Sequence, residues 1–252
     1  MSNLISQYKI FLRNNSNKLR AIKEKAYLYS DLDHYGVSMW QRDKFLQSHK
    51  KQLKQLPKKD ILALVKLLWK QSSFEEKHLA LEILQLISDD IDIDDMILIE
   101  KLMRQSGGWA LLDSLIVPIM PSVLAKNQKG YDYLKKWILD DDYWVKRSAL
   151  LAQLLFFRRD NGGDRKLFFF MAKSQFNEKW IDEKYKNKLT NKRAKFFIRK
   201  AIGWVLREMS VKQPQIVYQF LIENKSQMSG LSFREASRKL PNELYARLIN
   251  QR

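Results

Sequence analysis

Cysteine is missing from all 252 residues. That excludes disulfides, zinc–thiolate sites, iron–sulfur clusters and thiol nucleophiles, and it suits a reducing compartment, so a cytoplasmic protein is expected. Glycine (8) and proline (5) are scarce. They fall mainly where helices are expected to start or stop, for example at Pro57, Gly107–Gly108, Pro118, Pro121, Gly130, Gly162–Gly163, Pro214, Gly230 and Pro241. No Asn-Gly or Asp-Gly turn sits between alternating strands, so a hairpin architecture is not indicated. Long apolar runs are also lacking. The stretch Leu150–Phe157 is short and interrupted by Gln153, and no bilayer span is expected. Residues Met1–Arg20 are polar and mixed, without the pattern of a secretory signal. Phosphate-loop, G-x-G-x-x-G, HExxH and G-x-S-x-G motifs are absent, which removes the commonest nucleotide, zinc-protease and hydrolase readings. The histidines His34, His49 and His78 are scattered and are expected at the surface or its boundary rather than on a metal.

What the chain does have is positive charge. Forty-six Lys and Arg stand against 28 Asp and Glu, a net of +18. Such an excess repels itself, and a polyanion relieves it by releasing condensed counterions, so nucleic acid is the expected partner. Apolar residues recur at three and four, as in Ile61, Leu64, Val65, Leu68 and Trp69, and again in Leu79, Leu81, Leu84 and Ile87. This is the helical period, and it predicts an all-α chain of roughly a dozen helices.

One pattern repeats. An alanine follows a basic residue two places earlier in His78–Ala80, Arg147–Ala149, Arg199–Ala201 and Arg234–Ala236. A small residue lets a neighbouring helix approach, and stacked helical pairs of this kind line a concave surface. The spacings are unequal, so the expected fold is a degenerate HEAT-like repeat, an α-solenoid with a concave basic DNA-binding surface. It is expected to form a single domain over 1–252, with 1–20 as a frayed leading segment and a basic insertion at about 160–193. The stretch Lys184–Lys200 holds eight basic residues and no acidic one. It reads either as a solvated surface or as an arm that follows phosphates.

Asp89, Asp90, Asp92, Asp94 and Asp95 lack the central glycine and terminal glutamate of a calcium loop, so helix capping is the better reading. The run Asp140–Asp142 is expected to cap the helix that follows. Asp113 differs: it lies among Leu111, Leu112, Leu115 and Ile116, four residues from Trp109, so indole and carboxylate share a helix face. A carboxylate among leucines is costly unless it faces a cleft, a partner or a cation, or lies on the exposed stripe. Trp204 sits one turn from Lys200 and from Arg207, beside a mid-helix Gly203 that suggests a close approach. It is either a core residue or the edge of a basic groove.

Four segments resemble one family. They are Lys200–Glu208 (KAIGWVLRE), Trp109-x-x-x-Asp113 with Ser114 and Ile116–Pro118, Trp144–Ala149 (WVKRSA) and Leu231–Ala236 (LSFREA). In this order, over roughly residues 20 to 240, the chain resembles the AlkD-like DNA alkylation repair proteins. The resemblance implies a HEAT-like solenoid that holds duplex DNA and hydrolyses the N-glycosidic bond of cationic alkylpurines such as 3-methyladenine and 7-methylguanine. It implies the catalytic carboxylate at Asp113, aromatic faces for the sugar at Trp109 and Trp204, and a backbone contact at Arg147. Tyr27 matches a groove residue more weakly. Lys146, Arg199, Lys200, Arg207 and Arg234 lie in or beside the matching segments and are expected to contact DNA. The resemblance implies no metal or organic cofactor and a protein that acts as a monomer. The chain departs from the family at Ala110, at Leu111–Leu112, by one residue between Asp113 and Pro118, and in the basic insertion around Asn161–Arg165 and Asn177–Arg193.

Overall fold

A computed structural model describes residues 2–250, and these are helical almost throughout. In chain order the helices are α1 (Ser2–Asn14), α2 (Lys18–Leu28), α3 (Met39–Leu53), α4 (Lys58–Trp69), α5 (Phe74–Gln85), α6 (Met96–Arg104), α7 (Trp109–Lys126) and α8 (Lys129–Trp137). They continue as α9 (Tyr143–Leu151), α10 (Leu154–Arg159), α11 (Arg165–Ser174), α12 (Lys179–Lys184), α13 (Lys188–Ser210), α14 (Pro214–Asn224), α15 (Gly230–Ser237) and α16 (Asn242–Asn250). No strand occurs among the described residues. The chain divides into two compact units, one ending at Ser122 and the other beginning at Val123. The segment expected to fray is helical, with Tyr8 and Leu12 fully buried.

Local chemistry sets the helix starts. Ser38 with Gln41 and Ser73 with Glu76 each form a reciprocal capping box, in which the serine accepts an orphan N–H and the third residue answers its backbone. Asp142, Asp164, Asn187 and Ser229 cap α9, α11, α13 and α15 by accepting a backbone N–H, without the reciprocal bond. The acidic run 89–95 behaves as expected of caps: Asp92 accepts the N–H of Asp94, and Lys58 answers Asp95 at 2.6 Å.

Two prolines depart from the expectation that they end helices. Pro118 and Pro121 lie inside α7. A proline removes the bond to the carbonyl four residues back, which for Pro118 is that of Ser114. Gln85 Nε2 donates to this carbonyl at 2.8 Å, so the orphaned acceptor is satisfied from α5. α7 is also long and apolar enough to cross a membrane by length and composition, unlike the short runs judged from the sequence. Leu111, Leu112, Leu115, Ile116, Ile119, Met120, Val123 and Leu124 along it are buried in the protein, the pattern of a core helix.

In the first unit α4 packs on α5, and α3 also lies on α5. In the second, α13 is the central helix, packed by α9, α10, α14 and α15. The repeated alanines are the contact points: Ala80, Ala149, Ala201 and Ala236 are all completely buried. Gly203 serves the tightest approach. A Cβ there would stand 2.6 Å from the Cβ of Glu235 and 2.9 Å from the carbonyl of Ser232, so only glycine lets α15 lie this close to α13.

Candidate nucleic-acid interface and acidic residue

Within the first unit, α7 begins after Gly107, whose φ of +65° lies in the left-handed region open to glycine. Trp109 is the first residue of α7 and Asp113 follows one turn later; both are partly exposed. The ring of Tyr27, from the end of α2, meets the Trp109 indole edge-on at 5.9 Å between centroids. Tyr27 itself is 70% exposed, so its other side is open to solvent. Three residues singled out in the sequence thus lie on adjoining parts of one unit: an acid, an indole one turn from it, and a phenol against the indole. Leu111 and Leu112, where the family pattern is more polar, are buried and serve packing. A cavity of about 80 Å³ bounded by Gly107, Gly108 and Ala110 adjoins Trp109. This is well below the roughly 300 Å³ at the small end of ligand pockets, and no enclosing base pocket is formed there. A larger cavity of about 800 Å³, lined by Trp69, Ile97 and four lysines, contains none of the candidate residues.

In the second unit Trp204 is partly exposed on α13. The cations around it are engaged with the protein. Lys200 pairs with Glu235 at 2.6 Å, and Arg207 pairs with both Glu235 and Glu208. Arg199 holds Glu178 through two hydrogen bonds of 2.6 and 2.5 Å, which raise its pKa further above the ordinary value. Arg147 is buried, donates to the carbonyl of Phe197 at 2.7 Å and lies over the Phe197 ring. Lys146 is buried too; it donates to the carbonyl of Ile138 and lies over the Trp180 ring. Burial pushes its pKa down, against the opposing pull of Asp140 and Asp141. Only Arg234, of the six cations named from the sequence, is exposed.

The basic–alanine repeat therefore marks packing more than a row of open cations. His78, Arg147 and Arg199 each face an internal partner. The run Lys184–Lys200 is likewise folded rather than an unstructured arm: its residues from Lys188 on are the first half of α13. Lys195 pairs with Asp182 at 2.7 Å and Lys184 lies 3.7 Å from Asp141, whereas Lys188 and Lys192 are exposed and carry no ion pair. These two were present in the sequence run, but nothing in its spacing distinguished them from their paired neighbours.

One histidine corrects the sequence expectation as well: His78 is buried at 8% exposure, whereas His34 and His49 are boundary residues, the His34 side chain itself being 1% exposed.

With this geometry stand the comparisons. Residues 10–240 match the family described as DNA alkylation repair enzyme, and the chain belongs to that family. Its fold is that of a solved structure described as a predicted DNA alkylation repair enzyme from Enterococcus faecalis. That likeness has a TM-score of 0.74 at 20% identity, over 90% of this chain and 98% of the other. No curated protein matches the sequence.

Proposed function

We propose that this repair protein is a DNA glycosylase that hydrolyses the N-glycosidic bond of cationic alkylated purines, 3-methyladenine and 7-methylguanine, in duplex DNA. The observation that carries the proposal is the placement of Asp113 one turn from Trp109 on α7, both partly open to solvent, with Tyr27 set against the indole.

The chemistry asks little of the protein beyond charge and shape. A purine alkylated on a ring nitrogen already carries a positive charge, so when the bond from C1′ to the base nitrogen breaks, the electron pair leaves with the base, which departs neutral. No proton donor is needed for that step. The positive charge passes to the sugar as an oxocarbenium-like centre. The Asp113 carboxylate stabilises it and orients the water whose oxygen bonds to C1′, while a proton is released to solvent. The face of Trp109 adds cation–π stabilisation of the same charge. Trp204 is assigned the corresponding role on the second unit from its place in the KAIGWVLRE segment. The duplex partner is suggested by the +18 charge, and Lys188, Lys192 and Arg234 are exposed cations open to phosphate. The chain is proposed to act alone and without a membrane.

The test is release of methylated base from N-methylpurine duplex. Wild-type protein should release base, and Asp113→Asn should release little or none. Equal, negligible release by both, with tight salt-sensitive binding retained, would assign the protein to binding of damaged DNA without excision.

A further inference from the structure

We propose that Glu24, His34 and Glu75 form a binding site for a divalent first-row transition ion such as Zn²⁺, Mn²⁺ or Co²⁺. The three come from α2, the loop after it and the first turn of α5, all within the first unit. One donor atom from each lies within 4.8 Å of the other two. The Glu75 carboxylate is fixed from one side, since its Oε1 accepts the N–H of Gly36 at 2.7 Å and of Val37 at 3.3 Å.

The remaining atoms make no hydrogen bond. Glu75 is fully buried and its Oε2 makes no hydrogen bond. The His34 side chain is 1% exposed, and neither ring nitrogen makes a hydrogen bond; Nδ1 faces Glu24 Oε2 at 3.6 Å, too far for one. A buried polar atom left unpaired costs roughly 1–3 kcal/mol, so several at one point call for a ligand. Other charges nearby do not supply it. Lys9 faces Glu76 at 3.8 Å and His78 faces Glu82 at 3.3 Å. Arg42, buried over the Phe74 ring, leaves its own Nε and Nη1 unpaired. Arg20 Nη2 lies 3.8 Å from Glu24 Oε1, so Arg20 and Arg42 balance the Glu24 and Glu75 carboxylates, and it is the unbonded donor atoms rather than an excess of negative charge that call for an ion.

The donor set selects the ion. Calcium and magnesium take oxygen ligands, whereas an imidazole with two carboxylates suits zinc, manganese or cobalt. At ligand distances of about 2.0–2.2 Å the three donors close to tetrahedral spacing after side-chain movements on the order of 1 Å. The consequence would be mechanical. α2 has no buried residue, yet it carries Tyr27 against Trp109. An ion shared with α5 would hold that helix in place.

This inference does not depend on base excision, and its test uses no DNA. The full, untagged chain is incubated with Zn²⁺ or Co²⁺, desalted and measured for bound metal, with visible absorption as a second readout for Co²⁺. Wild type and His49→Ala should retain about one ion per chain. His34→Ala and Glu24→Gln should lose at least tenfold in affinity. A metal concentration about a hundredfold above Kd should raise the wild-type Tm by roughly 5 °C, and EDTA should reverse it. Glu24→Gln lies on a helix without buried residues, so it decides the matter if His34→Ala does not fold. Wild type that retains no stoichiometric metal, or a Glu24→Gln protein that binds as tightly as wild type, would overturn the proposal.

Discussion

The two units treat buried charge in opposite ways. In the second, acids close onto cations. Glu235 is buried and takes Lys200 and Arg207; Glu208 is buried and takes Arg158, Arg207 and Lys239. In the first unit Glu24 faces Arg20 at 3.8 Å and His34 at 3.6 Å, while Glu24 Oε2, Glu75 Oε2, both His34 nitrogens and two Arg42 nitrogens make no hydrogen bond. The contrast teaches where to look for work. A closed ion network is structural, because a buried carboxylate already matched by two or three cations has nothing left to offer a ligand. An open one keeps its binding capacity.

That contrast can be tested by acids from both units, and the largest effect is expected from chemistry. Asp113→Asn should lower base release by at least roughly a hundredfold, the scale of losing one electrostatic stabiliser of a developing charge, with an unchanged urea midpoint. Comparable loss of stability would make Asp113 a structural acid like those of the second unit. Glu235→Gln should show the reverse. It removes the buried partner that Lys200 and Arg207 share, and because Lys200 is partly exposed and Arg207 keeps Glu208, equilibrium urea unfolding should show a loss of about 1–3 kcal/mol.

Gly203→Ala is expected next. Its new methyl meets the backbone carbonyl of Ser232, which cannot swing aside as a side chain would, so α13 and α15 must part at a cost of about 1–3 kcal/mol in the same assay. A neutral result would show that the approach of these helices is looser than the structure gives. The smallest effect is in pH. Burial pushes the Glu208 pKa up, but a hydrogen bond from Lys239, the charges of Arg158 and Lys239, and a bond from Arg207 hold it below the ordinary 4.5. A depressed folded pKa stabilises above the unfolded value and is lost as pH falls through the folded one. Stability should therefore decline below pH 4.5, toward the lowered pKa, and Glu208→Gln should flatten that part of the profile in acid titration followed by circular dichroism.

Much of the fold was legible in advance. The 3.6-residue period of Ile61 to Trp69 predicted α4, and the run Asp140–Asp142 marked the start of α9, because both signals are local. Pro118 was read as a stop for the same reason, and wrongly: the carbonyl it orphaned found Gln85, 29 residues away. Trp109 and Asp113 could be paired from their spacing alone, since a helix puts residues four apart on one face. Tyr27 against Trp109 could not, being a contact across 82 residues that only a weak motif match hinted at.

By itself the sequence determined the helical class, the caps, the net charge and the family to which the chain belongs, for these are properties of residue type and short-range order. Which charges stay open was decided only by the tertiary structure. Lys184–Lys200 holds no acid, yet Glu178, Asp182 and Glu235 reach it from elsewhere in the fold, whereas the donor atoms of Glu24, His34 and Glu75 were brought within 4.8 Å of one another from three elements. Coulomb attraction and hydrogen bonding act over a few ångströms of space, and separation along the chain does not set that distance.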